Sequence, residues 1–418
     1  MDKTGVISID FDIPSGAEHI LRTLTATGYE AYLVGGCVRD LLRGAVPHDW
    51  DICTSAHPEE TAACFTDYRV LETGLRHGTV TVLMDGAPYE ITTYRAEGPY
   101  SDGRRPDYVG FVDRLEQDLA RRDFTMNAIA LGLEGAPLDP FGGANDIRAG
   151  QIRCVGEPAR RFQEDGLRIM RALRFAAVLG YGIEDCTARA IHDCRAMLDR
   201  VAAERIRAEL CGLVTGQRAG EVLRQFPDVI RQFWPELEQS GHWEPALRAL
   251  EAAPDHIAVR LAVLLRAAGP TESLLRRLKF DSNTRKLVVT LTELSDTPPP
   301  RDGKELRRQF GRLGPETFFR LLEVWRADTF GQVSEETAAR RAELDRLKTE
   351  AERLVAEGQC LALKDLAVNG WDVIAAGAVP GPDVGRVLDR LLGQVLDGEL
   401  PNRREVLLEQ VEQELSGS

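Results

Sequence analysis

The chain has 418 residues, 52 Lys and Arg against 66 Asp and Glu, and a formal net charge of −14; it is longer than one hydrophobic core usually serves, so several domains are expected. No apolar run approaches membrane-spanning length, and the N-terminus lacks a basic start followed by an apolar stretch, so no secretory signal is evident and the cytoplasm is the expected compartment. Eight cysteines are scattered without a C-x-x-C pair and do not cluster with the seven histidines, which points away from a zinc site or a disulfide framework.

The first informative stretch is Ala31-Tyr-Leu-Val, apolar and aromatic as a buried strand is, and it breaks at Gly35-Gly36, where backbone can approach a ligand closely. Residues 37–43 are helix-compatible and stop at Gly44, so the N–H groups of the first turn can meet a phosphate, with Arg39 adding charge. After Pro47, residues 48–54 read as a second strand whose two-residue period points Asp49 and Asp51 to one face. Paired carboxylates repel unless a cation joins them, and Mg²⁺, which takes oxygen ligands and substrate phosphates, suits such a pair in phosphoryl or nucleotidyl transfer. Taken singly, a Gly-Gly turn also fits a tight connection and Asp-x-Asp a solvated strand face. Cys37 and Cys53 flank the pair and read as small packing residues.

Residues 79–84 and 89–95 are strand-like and joined across Asp85-Gly86, a hairpin signal, with Pro88 limiting pairing at the start of the second strand. Residues 98–110, rich in Gly, Pro, Asp and Arg, read as a loop, for which a mobile functional loop and a disordered connector fit equally well. Arg121-Arg-Asp by itself fits a surface ion-pair cluster. Residues 160–176 are expected as one helix in which Asp165, Arg168, Arg171 and Arg174 recur every three residues as a polar ridge beside Leu167, Met170 and Leu173. Cytosine and adenine both offer an amino donor beside a ring-nitrogen acceptor, whereas guanine and uracil reverse that order, so an Asp acceptor with an Arg donor admits C or A. Asp165 and Arg168 have that chemistry; an intrahelical salt-bridge ladder is the alternative.

Up to about residue 150 strands and helices alternate, and the remainder of the chain reads mostly as helix, with Thr297-Pro-Pro-Pro as a local linker. Basic residues gather between Arg153 and Arg174 and again between Arg276 and Arg312, where solvated helix faces and phosphate contact are both open readings; the region beyond Val333 is acidic.

The run Leu33-Val-Gly-Gly-Cys-Val-Arg-Asp-Leu-Leu-Arg-Gly followed by His48-Asp-Trp-Asp-Ile-Cys-Thr-Ser-Ala resembles the head motif of the class II tRNA nucleotidyltransferase and bacterial poly(A) polymerase family. Arg121-Arg-Asp-Phe-Thr-Met-Asn-Ala is similar to that family's second signature, and Glu164-Asp-x-x-Arg to its nucleotide-reading element. The resemblance implies an α+β chain: a small nucleotidyltransferase head with a mixed sheet over 1–150, then an all-α neck (151–215), body (216–330) and tail (331–418). It also implies that Glu90 joins Asp49 and Asp51 as the third catalytic acid around two Mg²⁺ ions, with Asp49 and Asp51 as metal ligands. Gly36, Arg39 and Arg122 then hold the triphosphate, Asp123 lies near the ribose, Asp165 and Arg168 read the base with Glu164 orienting them, and Arg171 and Arg174 contact the ATP or CTP.

Asp365-Leu-Ala-Val-Asn-Gly-Trp-Asp and Leu400-Pro-Asn-Arg-Arg-Glu resemble the tail of single-chain CCA-adding enzymes of the low-GC Gram-positive type, which separates the chain from poly(A) polymerases. Arg266-Ala267 stands where some relatives carry a His-Asp phosphohydrolase signature, so a second hydrolase activity is not expected. The implied function is template-independent addition of the 3′ CCA to tRNA, gripped at its acceptor and T arms by a monomer or homodimer. A CC-only enzyme, a poly(A) polymerase and an RNA-binding protein retaining the fold remain alternatives.

Overall fold

The structure, a computed structural model, describes residues 12–71, 74–75, 78–98, 109–134, 136–239, 241–331 and 335–416. The chain divides into two compact units, Met1–Pro235 and Glu236–Ser418.

The first unit opens with α1 (Ser15–Ala26), β1 (Ala31–Val34), α2 (Gly36–Leu42), β2 (Asp51–Thr54), α3 (Pro58–Cys64), β3 (Arg69–Leu71), β4 (Thr79–Met84) and β5 (Ala87–Thr93). A short ladder pairs β6 (Arg95–Glu97) with β7 (Val109–Phe111); most of the expected loop at 98–110 lies outside the described residues. Then come α4 (Leu115–Ala120), β8 (Ala130–Leu131), α5 (Gly143–Ala149), β9 (Gln151–Ile152), α6 (Pro158–Glu164), α7 (Leu167–Leu179), β10 (Gly182–Ile183), α8 (Asp185–Cys194), α9 (Ala203–Thr215), α10 (Ala219–Gln225) and α11 (Pro227–Phe233). Six strands form a mixed sheet in the order β3-β4-β5-β2-β1-β8, in which β2 and β5 run parallel and the other neighbours antiparallel. Asp85 and Gly86 both take positive φ, the backbone of a two-residue hairpin turn matched to strand twist, as the sequence signal requires. Apolar side chains of α1 (Ala17, Ile20, Leu21, Leu24) are buried where that helix meets β1, β2 and β5. A cluster of Val34, Cys53, Tyr94, Leu115, Leu119 and Val155 ties β1 and β2 to α4 and to the start of the helical part.

Three local expectations are corrected. The strand expected over 89–95 is β5 at Ala87–Thr93, because the two-residue turn pairs Ala87 with Met84 at once and Pro88 sits opposite Leu83, before β2 begins to pair on the other side at Glu90. The second strand begins at Asp51 instead of 48, and residues 45–50 form irregular chain. The cause is register: Val34 pairs with Asp51, so Asp49 has no strand residue opposite it, because the partner chain has already turned at Gly35 into α2. The helix expected over 160–176 is two helices, α6 and α7, interrupted at Asp165 and Gly166. Asp165 is extended (φ −141, ψ 105) and its carboxylate accepts the Leu167 amide at 3.0 Å, a local bond that competes with the helix. A Cβ on Gly166 would lie 2.6 Å from the Met197 carbonyl oxygen, so only glycine lets this corner pack. Leu167, Met170 and Leu173 are buried as expected.

The second unit is helical: α12 (Trp243–Ala252), α13 (Ile257–Leu265), α14 (Thr271–Arg277), α15 (Ser282–Ser295), α16 (Gly303–Leu313), α17 (Pro315–Gly331), α18 (Glu335–Ala356), α19 (Gly370–Ala375), α20 (Pro382–Leu396) and α21 (Arg404–Ser416). Every residue of α13 from Ala258 to Leu265 is buried, which fits a helix apolar on all sides enclosed by α12, α15 and α17. Arg266 ends this helix by pairing with Asp296 and Asp328 at 2.9 and 2.7 Å. The two tail motifs brace one another: Asn402 accepts the Ala367 amide and donates to the Asp365 carbonyl, each at 2.8 Å, and Arg404 pairs with Asp372 at 2.7 Å. Among the described residues no helix is long and apolar enough to cross a membrane.

The close approach at the neck corner makes a direct prediction. Gly166→Ala should cost about 1–3 kcal/mol through backbone displacement and lower the thermal midpoint; an unchanged melting curve would show that the corner yields freely.

Candidate active site

The site is built at the end of β1. Gly35 (φ 77, ψ −130) lies in a region closed to most side chains, and it turns the chain from β1 straight into α2. A Cβ there would meet Arg122 Nη1 at 3.2 Å and Asp51 Oδ2 at 3.7 Å, so the turn is the floor on which an arginine and a carboxylate meet. Asp51 opens β2, directly across from Val34, and its parallel partner on β5 is Glu90. Parallel pairing in register puts Asp51 and Glu90 side by side on one face, and both are exposed. Although Asp51 as a residue is open to solvent, its carboxyl rises above the usual carboxylate range: partial withdrawal from water leads, Glu90 and Asp49 add to it, and Arg122 opposes them.

Asp49, Asp51 and Glu90 are therefore neighbours in charge, with Asp49 on the loop before the strand. Among the described residues no three His, Cys, Asp or Glu side chains converge into a ready-made metal cage. The donor set nevertheless fits a hard divalent cation: crowded carboxylate oxygens, like charges that a cation would relieve, and no competing thiolate. Cys37 and Cys53 behave as core residues; burial pushes the Cys37 thiol up to about 11 and its Sγ donates to the Val34 carbonyl at 3.2 Å.

Two of the arginines are anchored by an acid that sequence reading did not single out. Arg121 and Arg122 both pair with Asp118, at 2.8 and 3.2 Å, and that carboxylate is fully buried. Burial alone would raise the Asp118 carboxyl, but the two guanidinium groups outweigh it and hold it below its ordinary value. Arg122 Nη2 is the atom committed to Asp118, while Nη1 lies at the Gly35 turn. The spacing of Asp118 three and four residues before the arginines is a readable helical signal.

Arg39 is itself buried. Its guanidinium donates to both Asp40 oxygens and, at 3.0 Å, to Asn127 Oδ1, while Asn127 Nδ2 donates to Asp123 Oδ1 at 3.1 Å. Asp123 Oδ2 accepts from Arg171 at 2.8 Å (Nε) and 2.7 Å (Nη2). One continuous polar chain thus joins α2 to α7, the four-residue spacing of Asp123 and Asn127 being its only trace in sequence. Burial of Asp123 works against its charge, yet Arg171 and the Asn127 amide draw the carboxyl down to about 2.

In the neck, Arg168 is buried and donates to Glu164 Oε2 at 2.8 Å, the Arg161 carbonyl at 3.1 Å and the Arg121 carbonyl at 3.0 Å. Asp165 is held by Arg205 of α9 at 2.8 Å, and Arg174 by Glu209 of the same helix. Asp165 and Arg168 are linked through the backbone, Arg168 N donating to Asp165 O at 3.0 Å, and each side chain has its own clamp. Arg205 and Glu209, four apart on one helix face, were not singled out by sequence reading. The structure thus brings Asp51, Glu90, Arg122 and the Gly35-Gly36 turn together and links Arg39 to Arg171, while Asp165 and Arg168 sit on the corner between α6 and α7.

With this geometry in view, the comparisons are concordant. Residues 31–153 match the Poly A polymerase head domain family and residues 255–411 the putative tRNA nucleotidyltransferase domain 2 family. The CCA-adding enzyme of Lacticaseibacillus paracasei is 38% identical over 406 residues, covering 93% of this chain and 94% of its own, and that of Levilactobacillus brevis is 36% identical, covering 94% and 96%. The crystal structure of the Bacillus stearothermophilus CCA-adding enzyme in complex with CTP superposes with a TM-score of 0.76 at 34% identity over 96% of this chain and 97% of that one. The Thermotoga maritima CCA-adding enzyme complexed with tRNA shares the fold, with a TM-score of 0.66 at 21% identity over 96% of each chain. On the strength of near-complete coverage at this identity, the chain belongs to the CCA-adding enzyme family of tRNA nucleotidyltransferases.

Proposed function

We propose that this chain builds and repairs the 3′-terminal CCA of tRNA, using CTP and ATP and releasing pyrophosphate, in the cytoplasm. One observation carries the reading: an in-register carboxylate pair, Asp51 with Glu90, beside the Arg122 guanidinium, in a chain alike over 93% of its length to a CCA-adding enzyme. The 3′ oxygen of tRNA attacks the α-phosphorus of the nucleotide, the bond to the β-phosphate oxygen breaks, and pyrophosphate leaves with that electron pair. Asp49 and Asp51, assisted by Glu90, are the residues that would hold two Mg²⁺ ions, which supply charge neutralisation of the triphosphate and a lower cost for the 3′ alkoxide.

The chain's own cations do the rest. Gly36 and Arg39 hold the turn against the triphosphate, and Arg122, whose Nη1 lies at the turn, faces it. Asp123 lies on the ribose side, where Arg171 and Arg174 flank the nucleotide. Asp165 accepts from the amino group of cytosine or adenine, and Arg168 donates to the neighbouring ring nitrogen; Glu164, already bonded to Arg168, fixes its direction. Residues 1–150 serve as the catalytic head and 151–215 as the neck that selects the base. The body (216–330) and tail (331–418) grip the acceptor and T arms, through shape and phosphate, because the deep groove of double-helical RNA offers few base edges.

Incubation with Mg²⁺ and tRNA lacking its terminus, with CTP and ATP given singly and together, tests the whole reading by sequencing the products. Ordered C, C, A is expected; a long A run, arrest after CC, or no addition defeats it. In the same assay Asp51→Asn should reduce transfer by roughly a thousandfold with little change in thermal midpoint. Replacing Asp165 and Arg168 together by alanine should admit G and U while metal-dependent transfer persists, and unchanged preference for C and A would refute the assignment of the neck.

Asp123 predicts a pH signature. Its folded pKa of about 2 lies below the ordinary aspartate value, so its contribution is fully present above about pH 4 and disappears as pH falls towards 2. The shift corresponds to about 2 kcal/mol at neutral pH. The urea midpoint of Asp123→Asn should therefore fall below wild type at pH 6 and approach it near pH 3; a gap that does not narrow on acidification would contradict this linkage.

A further inference from the structure

We propose that Phe175 is a positioning residue for nucleotide binding, its ring gathering Arg39 of the Gly-Gly turn together with Arg171 and Arg174 of the neck. The inference rests on the proposed function, in which these three arginines meet the nucleotide.

The guanidinium carbons of Arg39, Arg171 and Arg174 lie 5.2, 5.3 and 4.2 Å from the centroid of the Phe175 ring. The ring is 5% exposed and is pinned edge-to-face by Phe124, at 5.9 Å between centroids and 88° between planes. Each arginine also has an acid, but the acids differ: Asp40 for Arg39, Asp123 for Arg171 and Glu209 for Arg174. Glu209 also acts on Arg171, but these pairs do not draw all three guanidinium groups towards a common point. Phe175 is a neighbour that all three share. An aromatic face carries the negative part of the ring quadrupole, so it attracts each cation without neutralising it, and the cations stay available to phosphate. An aliphatic side chain of similar volume would fill the same space and supply no such attraction. α9 makes room for this arrangement, because a Cβ on Gly212 would fall 2.5 Å from Arg174 Cδ.

The test grades the ring face at nearly constant shape. Phenylalanine analogues with increasing fluorine substitution are placed at position 175 of the full chain, and CTP and ATP affinities are read by calorimetry alongside KM and kcat for addition. Affinity for both nucleotides should fall stepwise, by roughly tenfold across the series, with KM rising more than kcat falls and the C-to-A ratio unchanged. Phe175→Leu, compared at equal folded fraction by its melting curve, should match the most fluorinated analogue. A flat series, with loss only in Phe175→Leu, would mean that the ring acts by packing and overturns the inference while leaving the reading of the site intact. A wild-type chain that binds neither nucleotide overturns that reading, and this inference with it.

Discussion

A site that receives a triphosphate must hold several positive charges close together before the anion arrives. In this fold each of these arginines is held by an acid, in some cases one shared by two arginines a turn away and in others one on a different element. Asp118 serves Arg121 and Arg122, Glu164 serves Arg161 and Arg168, Asp123 serves Arg171, and Glu209 serves Arg174. Desolvating such pairs is costly, and removing one partner leaves a buried charge uncompensated, so the pairs fix geometry more than they add stability. Arg168 illustrates this, since its two carbonyl acceptors and Glu164 leave its guanidinium little freedom to reorient. Part of the chain's acidic excess is thus occupied in holding arginines in place.

The opposite requirement governs the carboxylates. Asp51 and Glu90 are brought together by the parallel pairing of β2 with β5 in an otherwise antiparallel sheet. Burial anchors the strand that does so: behind the exposed Asp51, Ile52, Cys53 and Thr54 are all buried. Rigid strands hold like charges at a spacing that free side chains would relax, and the carboxyl of Asp51 is raised first by withdrawal from water and then by Glu90 beside it. Gly35 completes the arrangement by keeping a Cβ out of the space between Asp51 and Arg122.

The tail shows the converse, motifs whose polar residues bond to one another around the buried Leu366 and Val368. The Asn402 side chain, far away in sequence, donates to the Asp365 carbonyl and accepts the Ala367 amide, and Asn369 caps α19 by accepting the amides of Trp371 and Asp372. Trp371 remains 81% exposed on that braced corner. The resemblance of these stretches to a family tail therefore reflects a folded clasp.

Several parts of this protein were legible in the chain itself. The β1-turn-α2 unit, the Asp85-Gly86 hairpin and the buried ridge Leu167, Met170 and Leu173 arise from local pattern, because backbone preference and two- or 3.6-residue periodicity act over a few residues. The candidate carboxylates and arginines were visible as residue types in recognisable motifs. What only the tertiary structure decided lies in long-range contacts. The length of β2 depended on where its partner turned, and the break at Gly166 on the approach of the Met197 carbonyl. The partners of Arg39, Arg171 and Arg174, together with the ring they share, depended on packing between elements up to 136 residues apart, between Arg39 and Phe175. Sequence by itself determined which groups carry the charge, since that is a property of the residue; where each charge is anchored and what it faces is a property of the packed interior, which no local pattern encodes.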